Sequence, residues 1–230
     1  MPSTALITGT SQGVGRALAE RLLADGWIVH GFARGPQALV HERFHAQSVD
    51  VTDESAVRAA VAVVSASGRI DVLINNAGSA ALNAFLLTPG SVAEQLMRVN
   101  YLGTFHCVQA VGKVMVRQRG GLVINLTTVA VPLSLEGEAA YVASKAAVEA
   151  LTKVAAKELS TQGVHVIALG LGPVDTKLTR AVPKAALAKI NGAIGRPQGT
   201  AMTEAVEFIV SRLSTPDLKS GSVEYLGAVT

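Results

Sequence analysis

Cysteine is nearly absent from this sequence of 230 residues, in which Cys107 is the only one. A lone cysteine excludes a framework of internal disulfide bonds and fits a reducing compartment. Long apolar runs are also missing, since no stretch approaches the roughly 18 residues needed to span a bilayer. The first residues run into a predicted strand without a basic and hydrophobic leader. We therefore expect a soluble cytoplasmic protein with no membrane partner.

Charge of one sign is not concentrated in any part of the sequence. The 20 basic and 17 acidic residues are interspersed, so the net charge of +3 does not mark a nucleic-acid surface. Repeats, low-complexity tracts and linkers are also missing. The chain does contain 49% hydrophobic residues and 22 glycines, which is sufficient for one large α/β domain. We expect a single domain over residues 1–230.

Apolar strands alternate with helical segments along the chain. Strands are predicted at 4–8, 28–32, 46–49, 70–74, 121–126, 164–169 and 222–226, and helices at 16–24, 54–66, 92–118, 141–160 and 202–213. This alternation favours a parallel sheet with helices on both faces. The expected fold class is α/β, a single doubly wound Rossmann domain with about seven mostly parallel strands.

A glycine-rich turn joins the first predicted strand to the first helix. Gly9, Gly13 and Gly15 let the backbone turn sharply and approach a pyrophosphate, whose charge is favoured at a helix N-terminus. Their spacing is G-x-x-x-G-x-G and differs from the G-x-G-x-x-G fingerprint of dinucleotide sites. A tight connection without a ligand is the alternative interpretation.

A tyrosine and a lysine lie four residues apart at the start of helix 141–160. Residues at this spacing share a helix face, so the Tyr141 phenol and the Lys145 ammonium are neighbours. A unit charge at ~4 Å and an effective dielectric of ~20 interacts by about 4 kcal/mol, or about three pKa units. We therefore predict that Lys145 lowers the pKa of Tyr141. The alternative is an exposed pair that contributes only about a few tenths of a kcal/mol.

Five motifs, in this order along the chain, resemble those of the short-chain dehydrogenase/reductase family. They are Thr8-Gly9-x-x-x-Gly13-x-Gly15, Asn75-Asn76-Ala77-Gly78, Asn100 in Val99-Asn100-Tyr101-Leu102-Gly103, Tyr141-x-x-x-Lys145, and Gly172-Pro173-Val174-Asp175-Thr176. The resemblance covers nearly the whole chain. It implies an oxidoreductase that transfers hydride between a nicotinamide cofactor and a small carbonyl or secondary alcohol substrate.

The end of the second predicted strand bears on the choice of cofactor. A carboxylate there would bind the 2′-hydroxyl of NAD, but the sequence has Ala33 followed by Arg34. A guanidinium matches a 2′-phosphate, and in the family this arrangement implies NADP(H) rather than NAD(H). Arg16 is a second candidate for the phosphate. The alternative is that Arg34 is a solvated loop residue.

The resemblance assigns further residues to the cofactor. Asp50 would lie near the adenine amino group, although hydrogen bonding within its own loop is an alternative role. Leu171 stands where the family usually has proline, so the loop after it departs from the pattern. The full expected set is Gly9, Ser11, Gln12, Gly13, Val14, Gly15, Arg34, Asp50, Val51, Asn76, Ala77, Gly78, Tyr141, Lys145, Gly172, Val174 and Thr176.

Catalysis is expected to rest on Tyr141, Lys145, Thr128 and Asn100. By resemblance, Tyr141 is the general acid and base, and Asn100 holds a water in a proton relay. Thr128 stands where the family has serine; it has the same donor and acceptor capacity, but its β-methyl limits the rotamers. Thr127 is the alternative hydroxyl, although its strand position should face elsewhere. An ordinary strand role for Thr128 is the other alternative.

The substrate side is less defined by the sequence. Residues 178–198 correspond to the mobile substrate cover of the family. Lys184 and Lys189 within them would meet an anionic substrate or face water. The resemblance also implies a homodimer or homotetramer formed through two long central helices. The expected apolar lining is Val129, Ala130, Val131 and Leu135.

Two other function classes stay open. The string His41-Glu42-Arg43-Phe44-His45 matches H-E-x-x-H, which binds zinc when it lies in a stable helix with a third ligand downstream. A short surface helix without metal is the favoured interpretation, and we expect no metal site. A cofactor-binding regulatory or scaffold protein with little turnover would keep the same fold, although the intact Tyr141 and Lys145 argue against it.

Overall fold

A computed structural model describes residues 2–177, 179–180, 182–215 and 218–228 of the chain. Its apolar segments form strands β1 Thr4–Thr8, β2 Ile28–Ala33, β3 Phe44–Ser48, β4 Val72–Asn75, β5 Gly121–Thr128, β6 Val164–Leu171 and β7 Val223–Tyr225. They form one parallel sheet in the order β3-β2-β1-β4-β5-β6-β7. Because the chain builds outwards from β1 in both directions, the predicted doubly wound α/β class is confirmed.

Helices cover both faces of the sheet. They are α1 Gly13–Ala24, α2 Glu54–Ser67, α3 Gly90–Leu96, α4 Gly103–Gln118, α5 Ala130–Leu133, α6 Ala139–Leu159, α7 Lys184–Ala193 and α8 Met202–Val210. Successive side chains of a strand point to opposite faces. Leu6 accordingly belongs to a core with α2, α4 and α6, whereas Ala5 and Ile7 belong to a core with α1 and α8. Asp53 caps α2 by accepting two backbone amides.

The predicted helix 92–118 is wrong as one continuous element. A π-helical segment, Met97–Leu102, separates α3 from α4. Asn100 lies in this segment and is fully buried. Single π turns inside helices are frequent at functional sites, because they redirect a side chain out of the regular repeat. Here the turn lets Asn100 bond to the loop after β4 instead of solvent.

The string of residues 41–45 is not helical. Glu42 and Arg43 form a turn, and β3 begins at Phe44, earlier than predicted. A strand forms here instead of a helix because the Phe44 side chain is buried and His45 pairs with His30 of β2. Both the zinc helix and the short surface helix are therefore wrong.

Neither a membrane-spanning helix nor a metal cluster is found among the described residues. No described helix has the length and apolar character needed to cross a membrane. Within the same part of the chain, no group of three or more His, Cys, Asp or Glu residues is arranged to hold a metal ion.

Burial, with a smaller contribution from His45, lowers the pKa of His30 to about 4.

Candidate active site

The carboxyl ends of β1, β4, β5 and β6 meet at one edge of the sheet, where open α/β folds bind ligands. Two cavities adjoin there and share lining residues that include Val14, Asn76, Gly78 and Thr176. The first, here called the glycine-loop groove, runs past Gly9–Val14 and the ends of β2 and β3. The second, here called the Tyr141 cavity, lies between the ends of β5 and β6 and the start of α6.

The glycine loop is held against the loop after β4. Gly9 has a φ of +77°, and a Cβ there would come within 2.7 Å of Asn76 Nδ2. A Cβ at Gly15 would collide with the same nitrogen and with the Gly9 carbonyl oxygen. Asn76 Nδ2 donates to the carbonyl oxygens of Thr8 at 2.8 Å and Gly9 at 3.2 Å. Only glycine fits this packing, which leaves the loop backbone open to a ligand.

The predicted cofactor residues divide between the two cavities. Gly172, Val174, Tyr141 and Lys145 line the Tyr141 cavity, whereas Gly15 lies beneath the loop. The groove is lined by Gly9, Ser11, Gln12, Gly13, Val14, Arg34, Asp50, Val51, Asn76, Ala77, Gly78 and Thr176. A continuous groove with an exposed glycine loop fits a dinucleotide.

The two arginine candidates for a 2′-phosphate are placed differently. Arg34 is exposed at the rim of the groove. Arg16 instead pairs with Glu20, with 2.9 Å between Nε and Oε1, and is not among the described lining residues of the groove. Lys177 is a second cation at the groove that sequence reasoning missed, although its position directly after Thr176 was a usable signal. The structure therefore favours Arg34 over Arg16.

Asp50 shows the alternative role that its sequence context suggested. Its Oδ1 accepts the backbone amide of Thr52 at 2.9 Å, which closes the loop before α2. The residue also lines the groove, so its position is compatible with the adenine role as well.

Tyr141, Lys145 and Thr128 are brought together on the Tyr141 cavity. Thr128 is the last residue of β5, and its Oγ1 accepts the Ala130 amide at 3.2 Å. Lys145 is buried, and its Nζ donates to the Leu126 carbonyl oxygen at 2.8 Å. Two adjacent turns of α6 and the end of β5 thus present a phenol, an ammonium and a hydroxyl to one space.

The predicted lowering of the Tyr141 pKa is wrong for the protein as it stands. Burial raises the pKa of Tyr141 to about 12, with the Thr128 hydroxyl lowering it and Glu138 raising it further. Burial lowers the pKa of Lys145 to about 8. Loss of hydration therefore outweighs the attraction expected from spacing alone. The phenol consequently holds its proton at neutral pH.

Asn100 uses its side chain to connect two elements around the site. Its Oδ1 accepts the Ser79 amide at 2.8 Å, and its Nδ2 donates to the Ser79 carbonyl oxygen and to Ser144 Oγ, each at 2.9 Å. Both amide hydrogens are thereby used on the protein. Asn100 thus fixes the loop after β4 to α6, directly beside Lys145.

Comparison with known proteins shows the family to which the chain belongs. A model of the short chain dehydrogenase family matches residues 3–186. The chain belongs to this family. The predicted family and enzyme class, an oxidoreductase of the short-chain dehydrogenase type, are confirmed.

Relatives of this short-chain dehydrogenase include enzymes and solved structures. It is 35% identical over 196 residues to the 3-oxoacyl-(acyl-carrier-protein) reductase FabG of Staphylococcus epidermidis, covering 79% of each protein. A gluconate 5-dehydrogenase from Burkholderia cenocepacia in complex with NADP and tartrate is 27% identical, with a TM-score of 0.90 and coverage of 98% and 93%. A short chain dehydrogenase of the same species in complex with NADP is 30% identical, with a TM-score of 0.85 and coverage of 99% and 89%.

Thr127 of this short-chain dehydrogenase also lines the Tyr141 cavity, but its hydroxyl is bonded elsewhere, as its strand position predicted. Its hydroxyl donates to Glu149 Oε1 at 2.8 Å, and the Tyr225 hydroxyl donates to the same oxygen at 2.9 Å. Sequence reasoning missed Glu149 and Tyr225. The spacing of four residues between Lys145 and Glu149 was the available signal, because such residues share a helix face.

The substrate side agrees with prediction in part. Val129, Ala130 and Leu135 line the Tyr141 cavity, but Val131 is not among its described lining residues. Its place is taken by apolar side chains from the predicted cover: Val182, Leu187 and Ile190. Leu178 and Ala181, which also belong to that segment, lie outside the described residues.

The two lysines of the cover do not line the described part of the cavity. Lys184 is exposed, and Lys189 lies 4.0 Å from the carboxylate of Glu136, which is also exposed. Both therefore follow the alternative in which they face water.

Proposed function

We propose that this short-chain dehydrogenase is an NADP(H)-dependent oxidoreductase that interconverts a carbonyl and a secondary alcohol. The observation that carries the proposal is the convergence of Tyr141, Lys145 and Thr128 on a cavity continuous with the glycine-loop groove. NADPH bound along that groove supplies the hydride. The NADP held by two of the solved relatives supports the phosphorylated cofactor.

Tyr141 acts as the general acid in reduction and as the general base in alcohol oxidation. Its raised pKa keeps the phenol protonated, which is the state that a proton donor needs. Thr128 donates a hydrogen bond to the substrate oxygen and stabilises the charge that develops there. Lys145 stabilises the phenolate that forms when Tyr141 gives up its proton, and Asn100 completes the proton path. In this path Asn100 holds a water through an acceptor atom, because both of its amide hydrogens are bonded to the protein.

Different groups of residues in the groove are proposed to bind different parts of the cofactor. The amides of the glycine loop hold the pyrophosphate, as helix N-termini do in other dinucleotide sites. Arg34, with Lys177 nearby, holds the 2′-phosphate, while Asp50 and Val51 border the adenine. The nicotinamide half is assigned to Asn76, Ala77, Gly78, Tyr141, Lys145, Gly172, Val174 and Thr176.

An NADPH-oxidation screen over a panel of small carbonyl compounds tests the proposal. Consumption of NADPH that requires one class of ketone or aldehyde is the expected result. NADPH binding without consumption on any compound would contradict it and favour the regulatory alternative.

Replacing Arg34 with alanine is expected to weaken NADPH binding by about 10- to 100-fold, the range of a charge-assisted hydrogen bond. NADH, which lacks the 2′-phosphate, should bind wild type and variant alike. Fluorescence titration with both reduced cofactors measures the effect. Arg16→Ala is the matched control, because Arg16 pairs with Glu20 outside the groove. Tighter binding of NADH than of NADPH to the wild type would refute the cofactor assignment.

We also propose a homodimer or homotetramer assembled through the exposed face of α4 and α6. An open depression on this face is lined by the apolar residues Phe105, Val108, Val116, Leu151, Val154 and Leu159, with Gln109, Lys113, Arg117 and Glu158 among the polar ones. Val154 is 55% exposed, and a cluster of apolar side chains of this kind marks an interface.

Val154→Glu should shift the protein towards monomer, because a charge at the centre of an apolar interface is left unpaired. Sedimentation velocity reports the change. Val63→Glu is the control, since Val63 is 63% exposed on α2 and is not among the described lining residues of this depression. A wild type that is monomeric at high concentration would contradict the proposed assembly.

Residues 178–198 are proposed as the substrate cover, since Val182, Leu187 and Ile190 already line the cavity.

A cytoplasmic location is proposed as well and rests on the near absence of cysteine. Cell fractionation tests the latter directly.

A further inference from the structure

Glu138 places a carboxylate in the wall of the Tyr141 cavity. It lies immediately before α6, three residues ahead of Tyr141, and is half-buried. Its side chain does not cap the helix. Within residues 2–177, 179–180, 182–215 and 218–228, it forms no ion pair. Glu138 is therefore a partly dehydrated acid that the proposed chemistry does not use.

The cavity that Glu138 lines has a largely apolar wall. Val129, Leu135, Leu187 and Ile190 line the same cavity. Burial raises the pKa of Glu138, and the charge of Glu138 in turn contributes to the raised pKa of Tyr141. A polar group that loses water without gaining a donor is destabilising. The missing donor is expected to come from whatever enters the cavity.

Lys145 is the only cation among the described residues that line the cavity. Its Nζ donates to the Leu126 carbonyl oxygen. In the proposed mechanism it stabilises the phenolate of Tyr141. Lys189 is exposed beside Glu136 and does not line the described part of the cavity. An anionic group close to the reacting carbonyl would meet Glu138, and no second cation among the described lining residues would offset it.

We propose that Glu138 selects substrates that carry a hydrogen-bond donor near the reacting carbonyl and disfavours substrates with a carboxylate there. The class is hydroxylated or amino ketones, and the corresponding polyols or amino alcohols in the reverse direction. The inference rests on the proposed carbonyl reduction. In that reaction the carbonyl oxygen of the substrate faces Tyr141 and Thr128, and this orientation brings the neighbouring donor of the substrate to Glu138. Glu138 acts on specificity, and proton transfer stays with Tyr141.

Four ketones of one carbon skeleton provide the test, with a hydroxyl, an ammonium, a methyl or a carboxylate at the same position. For the wild type, kcat/KM should be highest for the hydroxyl and ammonium compounds and lowest for the carboxylate. In Glu138→Gln, the ratio of ammonium to methyl compound should fall by about 10- to 100-fold, as expected for a charge-assisted hydrogen bond. The carboxylate compound should gain relative to the methyl compound. The hydroxyl and ammonium arms show whether a neutral donor is sufficient.

Glu136→Gln is the matched control, because Glu136 is an exposed neighbour that pairs with Lys189 outside the cavity. It should leave all four ratios unchanged. Glu138→Asp keeps the charge and should retain the order of the four compounds. Equal ratios in wild type and Glu138→Gln, with turnover present, would overturn the inference and leave the proposed function intact.

A binding measurement separates the two proposals further. Calorimetric titration of the same ketones into Tyr141→Phe reports their preference without turnover. The inference is supported if Tyr141→Phe prefers the donor-bearing compounds and the double variant Tyr141→Phe/Glu138→Gln does not. This holds even if the wild type consumes no NADPH. That combination would contradict only the proposed reduction.

Discussion

Tyr141→Phe is expected to lower carbonyl reduction by at least ~10²- to 10⁴-fold, the range of general acid catalysis, while NADPH still binds. The variant keeps the aromatic ring and its packing at the start of α6 but has no proton to give. The pKa of Tyr141, raised to about 12 by burial, means that the wild-type phenol enters the reaction protonated. Steady-state rates and a cofactor titration on the same preparation measure both effects.

Tyr101→Phe is the control for this substitution. Tyr101 lies in the π-helical segment, where its ring packs 6.2 Å from that of Phe105, and it does not line the described part of the Tyr141 cavity. Its loss of a hydroxyl should leave turnover at the wild-type level. Undiminished reduction by Tyr141→Phe would remove Tyr141 from the mechanism.

Thr128→Val should lose about 10²-fold or more in kcat, because a donor aimed at the developing oxyanion is removed. Valine keeps the branched shape but removes both the hydroxyl hydrogen and the oxygen that accepts the Ala130 amide, whereas serine keeps both. The Oγ1 of Thr128 accepts the Ala130 amide, and its hydroxyl hydrogen, which lowers the pKa of Tyr141 in the free protein, would turn to the substrate oxygen. Thr128→Ser keeps that hydrogen and should remain active.

Thr127→Val makes the comparison sharper. The Thr127 hydroxyl donates to the buried Glu149 and not to the space in front of Tyr141. Its removal leaves a buried carboxylate short of a donor, so the expected cost is about 1–3 kcal/mol of stability, seen as a lower melting temperature. Equal rates for the wild type and Thr128→Val, with Thr127→Val the more damaging to turnover, would exchange the assignments of the two hydroxyls.

Local patterns in the sequence were sufficient for the elements that position the site. The buried strands, the glycine loop and the spacing of Tyr141 and Lys145 each depend on neighbours within a few residues. Parallel strands then bring their ends to one edge of the sheet without further information. This is why the predicted catalytic and cofactor residues gather around two adjoining cavities.

Features that depend on distant partners escaped prediction. Asn100 lies in a π turn because its amide bonds to Ser79 and Ser144, which are far from it in sequence. His45 lies in a strand because it pairs with β2, although its local string matches a zinc motif. Glu149 meets Tyr225 across 76 positions. Sequence spacing alone does not report such contacts.

The prediction of a lowered pKa for Tyr141 was wrong for a related reason. Helical spacing predicts that Lys145 is near the phenol, but it carries no information on how much water both groups lose. Burial dominates for each, raising the pKa of Tyr141 and lowering that of Lys145. The charge of Glu138 adds to the effect on Tyr141. At neutral pH the pair is therefore a protonated phenol and a lysine that is still mainly cationic, the states that the proposed reduction requires.

The most direct test of the account is hydride transfer itself. The wild-type protein is incubated with NADPH carrying deuterium at the nicotinamide C4 position and with the panel of carbonyl compounds, and the products are analysed by mass spectrometry. We predict an alcohol with deuterium on the former carbonyl carbon, formed by the wild type and not by Tyr141→Phe. NADPH binding without deuterium in any product would contradict the assignment of this short-chain dehydrogenase as a carbonyl reductase.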